Sequence, residues 1–378
     1  SMLLTACNSK YEKGTFGYNL QRLQPIEGIQ VLESDSAMIA VSGVYQGRIF
    51  LSSAKERTGK SYGWVNWKVI EKGEHATSIA GLGGESRIWF APEWGPFALF
   101  FPAGVEQDNE TMEVPYDLNN KKFTKIRASE NTLTYGGAMQ LKNDVNTTFD
   151  LNVERTIQLF SKKEIEEKLQ IDLSNKDIAS VGFSAATTVT NIGDEQFTKA
   201  KGLIALWELG CMLTSPDTKV IIPLSQPTDS ITPYFTPIGN RMMIKDSVVF
   251  YKADARGLNK IGVLPQFCTD VMGSYDPSQQ LLNIVTFNFE KDSLYVNSVP
   301  KNTTPFRGDV INIFNGEVTS NFNLPFFEFE SASSAKALKP LEKISHEQTT
   351  YHFEGNEEVL ESIAVKVLGV SLKNIPEF

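Results

Sequence analysis

From residue 29 onward the chain is written in short apolar and β-branched runs, broken every few residues by Gly, Asn or Asp. That rhythm leaves little room for anything except a sheet protein. IQVLES, SAMIAVSG and GRIFLSSA come first, with breaks at Asp35-Ser36 and Gly43. Further strands are predicted within 124–142, 146–160, 247–252, 260–264, 281–289 and 310–314, separated by the turn signals GNR, ADARG, GSYDPSQ and FNGE. GLIALWELGCMLTS is apolar enough for a helix. Its flanking glycines and the surrounding β rhythm favour an extended buried segment.

Two stretches depart from this rhythm. Ser161-Lys162-Lys163-Glu164 matches a capping box and predicts a short surface helix. Near the C-terminus, Val359, Leu360, Ile363, Ala364, Val367 and Leu368 form a helical stripe, with Asn356 as cap and Gly369 as terminator. The chain of 378 residues is long enough for one large core. The expected division is a truncated signal and tether over 1–20 and a single β domain over 21–378, with internal halves meeting near 190–200.

A net charge of −9 argues against nucleic-acid partners, which require a basic footprint. Three cysteines make no disulfide framework. Cys211 and Cys268 read as lone buried thiols. Leu4-Thr5-Ala6-Cys7 resembles a bacterial lipobox, in which the cysteine becomes the lipidated first residue of the mature chain. Residues 2–6 then read as the end of a signal peptide. This places the protein on the periplasmic or cell-surface side of the outer membrane, touching the membrane only through a lipid anchor at Cys7.

The chemistry concentrates first in residues 81–104, GLGGESRIWFAPEWGPFALFFPAG. Period-two geometry puts Arg87 and Trp89 on one strand face and Ile88 and Phe90 on the other. Pro92-Glu93-Trp94-Gly95-Pro96 is a rigid connection, and FALFF is expected to return as an apolar strand. Arg87 suits a sugar or carboxylate through its guanidinium fork, or else an internal ion pair with Glu85, Glu93 or Glu330. Trp94 suits stacking on a pyranose face, or else anchoring its own turn. In FNLPFFEFE, Phe326, Glu328 and Glu330 share a face, with Phe327 and Phe329 opposite. Two carboxylates on the apolar-rich side of a strand need partners, water or a ligand. His346 and His352 lie in a later extended run, and either suits proton transfer.

No phosphate loop, nucleophile elbow or metal-ligand spacing is present, so neither a cofactor nor a metal is expected.

The order GGESRIWFAPEWGPFALFF, TVTNIGDEQF, GLIALWELGCML, KIGVLPQ, FFEFESASSAKAL and SHEQTTYHFEG resembles a Bacteroidetes family of uncharacterised envelope proteins, itself similar to the galactose mutarotase-like supersandwiches. The resemblance implies an all-β galactose mutarotase-like β-supersandwich with a few short peripheral helices, one at the C-terminus, and a carbohydrate-facing groove. In the aldose 1-epimerases a glutamate acts as base and a histidine as acid on the anomeric hydroxyl and ring oxygen. FEFESAS then offers Glu330 as the base, with Glu328 the weaker counterpart. The mid-chain histidines of those enzymes have no match, since residues 76–345 contain no histidine. His346 is left as the acid candidate. Arg87, Trp89, Glu93, Trp94 and Glu328 are the expected ligand contacts. The expected functions are carbohydrate binding, aldose 1-epimerase-like catalysis, or a structural envelope role with a vestigial groove.

Overall fold

The computed structural model describes residues 9–73, 81–319 and 323–378. Cys7, His75 and Phe322 lie outside the described residues. In chain order the strands are β1 (Ile29–Ser34), β2 (Ala37–Ser42), β3 (Arg48–Ser53), β4 (Arg87–Ala91), β5 (Thr124–Ala128), β6 (Thr132–Lys142) and β7 (Thr148–Leu159). β8 (Ala179–Asn191), β9 (Ala205–Leu213), β10 (Lys219–Pro223), β11 (Thr232–Pro233), β12 (Met242–Lys245) and β13 (Val248–Lys252) follow. The series closes with β14 (Arg256–Val263), β15 (Val271–Asp276), β16 (Leu281–Phe287), β17 (Ile311–Glu317), β18 (Phe326–Ala332) and β19 (Lys343–Glu354). The helices are α1 (Phe16–Arg22), α2 (Trp67–Lys72), α3 (Tyr116–Asn120), α4 (Lys162–Leu169) and α5 (Glu357–Leu368).

β1–β3 form a small antiparallel sheet. Ten strands form the large sheet in the order β12-β13-β10-β15-β16-β19-β8-β7-β6-β5, and six form the other in the order β11-β14-β17-β18-β9-β4. The main core lies between these two larger sheets. Val153, Ile157, Phe183 and Val189 of the large sheet belong to one apolar cluster with Ile88, Phe90, Ile313 and Phe329 of the smaller one. β7 shows the alternation that such packing demands, with Phe149, Leu151, Val153, Ile157 and Leu159 buried between more exposed residues.

α5 covers the other face of the large sheet, where Leu360, Ile363 and Leu368 join Leu282, Ile284 and Phe353. The expected caps are present. Asn356 Oδ1 accepts from Val359 N at 3.0 Å, and Gly369 adopts the left-handed conformation at φ 67°. Asn356→Ala is expected to lower the unfolding free energy by about 1 kcal/mol. The effect should appear as a lower urea midpoint at unchanged slope. An unmoved midpoint would mean that packing alone holds this helix end. The capping box at Ser161 and Glu164 also forms as expected.

The stretch expected as a tether over 1–20 runs into α1 at Phe16. Thr15 caps α1, and Phe16 is fully buried against Phe50, Leu51 and Ile70. FALFF is not a strand. Pro92, Gly95, Pro96 and Pro102 bracket it, and a segment so interrupted cannot offer a regular ladder. It folds instead as an irregular connection whose rings pack on buried indoles. Phe100 lies 5.3 Å from Trp89 and Phe101 lies 4.7 Å from Trp94, centroid to centroid. This covering explains why β4 is buried on both faces.

The core also holds charge. Arg155 on β7 reaches across to Glu208 on β9 in a short ion pair, and donates to Thr187 Oγ1 at 3.0 Å and Ser86 Oγ at 2.8 Å. Nearby, His352 bridges Asn283 Oδ1 and Glu85 Oε1, each at 2.6 Å.

Candidate functional site

Glycine turns deliver the first site residue. Gly83 and Gly84 sit at φ 74° and 101°, where a side chain is strained. A Cβ on Gly84 would also lie 2.9 Å from Ile49 O. These two residues lead directly into β4. From there the register assembles the rest. Arg87, Leu209, Glu330 and Asn312 stand in one row across β4, β9, β18 and β17. Cys211, Glu328, Phe314 and Lys260 form the next row across β9, β18, β17 and β14. Strand alternation therefore puts Arg87, Trp89, Lys260, Glu328 and Glu330 on one face of the six-stranded sheet. Phe327, Phe329, Ile88 and Phe90 point the other way, into the core.

On that face Arg87, Trp89, Glu93, Lys260, Glu328 and Glu330 surround one cavity of about 40 Å³. Five of these are charged groups, each no more than 5% exposed. Arg87 Nη2 lies 3.3 Å from Glu328 Oε2, and Lys260 Nζ lies 3.3 Å from Glu330 Oε2. The cations also rest on aromatic faces. The Arg87 guanidinium is 4.5 Å from the Trp89 ring, and Lys260 Nζ is 4.4 Å from Trp207 and 5.0 Å from Tyr234. Glu93 enters from the connection after β4, where its N–H donates to Ser298 Oγ at 3.1 Å. The half-buried side chains of Phe235, Phe314 and Leu324 complete the wall.

Three carboxylates face two cations here, so one negative charge is in excess. Burial pushes Glu330 up to about 8, with Glu328 and Glu93 adding to the shift and Lys260 opposing it. Burial raises Glu93 as well. Burial alone would lower Lys260, but Glu330, Glu93 and Glu328 outweigh it and hold the ammonium above its ordinary value. Taken together, the cluster keeps one carboxyl protonated at neutral pH. Burying so many ionisable groups is expensive, and such clusters concentrate at functional sites.

The structure thus brings together Arg87, Trp89, Glu93, Glu328 and Glu330 among the sequence-derived candidates. Two others are elsewhere. Trp94 is buried against Phe101 and does not line the cavity. His346 is not in the groove, because its Nε2 lies 2.7 Å from the hydroxyl of Ser331, whose side chain points opposite to that of Glu330. Burial depresses His346 to about 3, so it is uncharged at neutral pH. Sequence reasoning missed Lys260. Its only signal was a lysine inside the otherwise apolar run of KIGV. Arg87 was expected to pair with Glu85, Glu93 or Glu330, and it forms an ion pair with Glu328. Among the described residues, no group of three or more His, Cys, Asp or Glu side chains is arranged to hold a metal ion. Cys211 and Cys268 are free buried thiols.

The fold is that of the galactose mutarotase-like proteins. A galactose mutarotase-like protein from Lactobacillus casei ATCC 334 superposes with a TM-score of 0.51 at 12% identity, covering 86% of this chain and 100% of that one. The Slr1438 protein from Synechocystis sp. PCC 6803 superposes with a TM-score of 0.52 at 10% identity, covering 87% and 96%. No curated protein sequence matches the chain significantly. A family profile matches residues 14–378, nearly all of the supersandwich, and the chain therefore belongs to the family of unknown function DUF6786.

Proposed function

We propose that this protein binds a carbohydrate in the charged pocket on the outer face of the six-stranded sheet. One observation carries the reading. Five buried ionisable side chains converge on a single aromatic-walled cavity. Fixed carboxylates and cations are strong hydrogen-bonding partners for hydroxyls, and aromatic walls suit the C–H faces of a sugar ring. The cavity of about 40 Å³ holds only a few waters. Sugar entry therefore requires Phe235, Phe314 and Leu324 to turn outward. The lipobox-like sequence at Cys7 supports an envelope lipoprotein as the setting.

A second reading is favoured by one group. With its carboxyl raised to about 8, Glu330 carries a proton at neutral pH. It suits a proton donor to the ring oxygen, rather than the base expected from the resemblance. Glu328, held by Arg87, would take the anomeric proton. The C1–ring-oxygen bond then opens to the aldehyde and recloses on either face.

Calorimetric titration with a panel of mono- and oligosaccharides tests the first reading. Wild type is expected to bind at least one, and Glu330→Gln to weaken it by about tenfold or more. No binding across the panel leaves a structural envelope role. Magnetisation-transfer NMR of the bound sugar tests the second reading. Anomer exchange no faster than in buffer would reject catalysis while leaving binding intact.

A further inference from the structure

A second cavity lies between the end of β9 and the β15–β16 hairpin, closed on a third side by residues 60–62, with a volume of about 240 Å³. It shares no lining residue with the charged pocket, and Phe327 faces it from the opposite side of β18. The strand end and the 60–62 segment are tied together by Leu213 N donating to Tyr62 O at 2.8 Å.

The charges around this cavity are already satisfied. Asp276 Oδ2 accepts from Thr218 Oγ1 at 3.0 Å, and its Oδ1 accepts from Ser278 Oγ at 2.7 Å and Gln279 N at 3.1 Å. Lys60 Nζ donates to Gln279 O at 3.2 Å. The hydroxyls differ. Ser61 is 5% exposed, and its Oγ is buried with no hydrogen-bond partner. Such a group costs free energy unless something binds it. Ser274 Oγ accepts from Asn283 Nδ2 at 3.1 Å, because Asn283 Oδ1 is held by His352 Nδ1 at 2.6 Å. The Ser274 proton is therefore left to donate. Tyr62 is already engaged, donating to Glu354 Oε1 at 2.5 Å and accepting from the Ala54 backbone N–H. Phe327 and Leu281 supply apolar wall.

One hydroxyl with a proton left to donate and one unpartnered hydroxyl that can both donate and accept match the two-way hydrogen bonding of ligand hydroxyls. We propose that this cavity is a second binding site for a small uncharged polyol, no larger than one sugar ring. Its volume lies just below the ~300 Å³ lower bound of ordinary small-molecule sites. The site needs neither Glu330 nor sugar binding in the charged pocket.

Saturation-transfer NMR and calorimetry on the full chain test the proposal, with glycerol, D-ribose, myo-inositol and D-galactose as probes. At least one probe is expected to bind. Its affinity should fall about tenfold or more in Ser61→Val and Leu213→Trp, and hold in Glu330→Gln. Leu213 is 45% exposed at the cavity rim, so tryptophan there can obstruct the mouth without repacking the core. No binding by any probe would overturn the proposal. So would binding that persists in folded Leu213→Trp, or that is lost in Glu330→Gln alone.

Discussion

Replacing Arg155 with methionine is expected to cost about 3–5 kcal/mol of folding free energy. Arg155 and Glu208 are both buried between the two large sheets, and each is the other's principal counter-charge. Removing the guanidinium leaves Glu208 in a site where burial already raises its pKa. Ser86 and Thr187 lose their shared donor at the same time. The double variant Arg155→Met/Glu208→Leu removes both charges and fills both spaces, so it should recover most of the loss. Urea unfolding of the two single variants and the double variant measures the coupling. A single-variant cost below about 1 kcal/mol, the range of exposed pairs, would contradict a buried, mutually dependent pair.

Glu330→Gln is expected to stabilise the protein at alkaline pH. The Glu330 carboxyl titrates near 8 in the folded chain and near its ordinary 4.5 when unfolded. The folded state therefore binds the proton more tightly. The resulting stability is fully present below the unfolded value and is lost as pH rises toward 8. His346 works in the opposite direction, because burial depresses it to about 3 from an ordinary 6.5. Its effect levels off only by about pH 7.5, adds a few tenths of a kcal/mol above pH 6.5, and is the same in both proteins. Between pH 6.5 and 8.5 wild type should lose about 2 kcal/mol through Glu330, at about 1.4 kcal/mol per unit over the effective range. Glu330→Gln has no such proton. It also leaves two carboxylates against two cations, so its stability should stay flatter across that interval. Equal pH slopes in the two proteins would show that Glu330 is not the group holding the proton.

The parts of this molecule that were legible in its sequence are those set by local period. Alternation placed Arg87 with Trp89, and Glu328 with Glu330, on their correct strand faces. Ser161, Asn356 and Gly369 marked helix ends because capping is a short-range hydrogen-bonding problem. FALFF failed for the complementary reason. Its apolarity signals burial, which a loop packed on Trp89 satisfies as well as a strand does. The composition of the site was less legible. Lys260 reaches Glu330 through the register of β14, β17 and β18, and register between distant strands leaves no mark in any one of them. His346 was attractive as a rare histidine in an extended run, but strand parity sends it into the core beside Ser331. The pairing of Arg87 with Glu328 was hidden in the same way, since 241 residues separate the two.

The most direct test of the central claim is a crystal structure with the best-binding sugar from the calorimetric panel. Carbohydrate binding on the six-stranded sheet predicts a sugar ring between Arg87, Lys260 and Glu330, with Phe235 and Leu324 turned away from the positions that now narrow the cavity. Sugar density confined to other sites, with Phe235 and Leu324 unmoved and the Lys260–Glu330 pair intact, would contradict it.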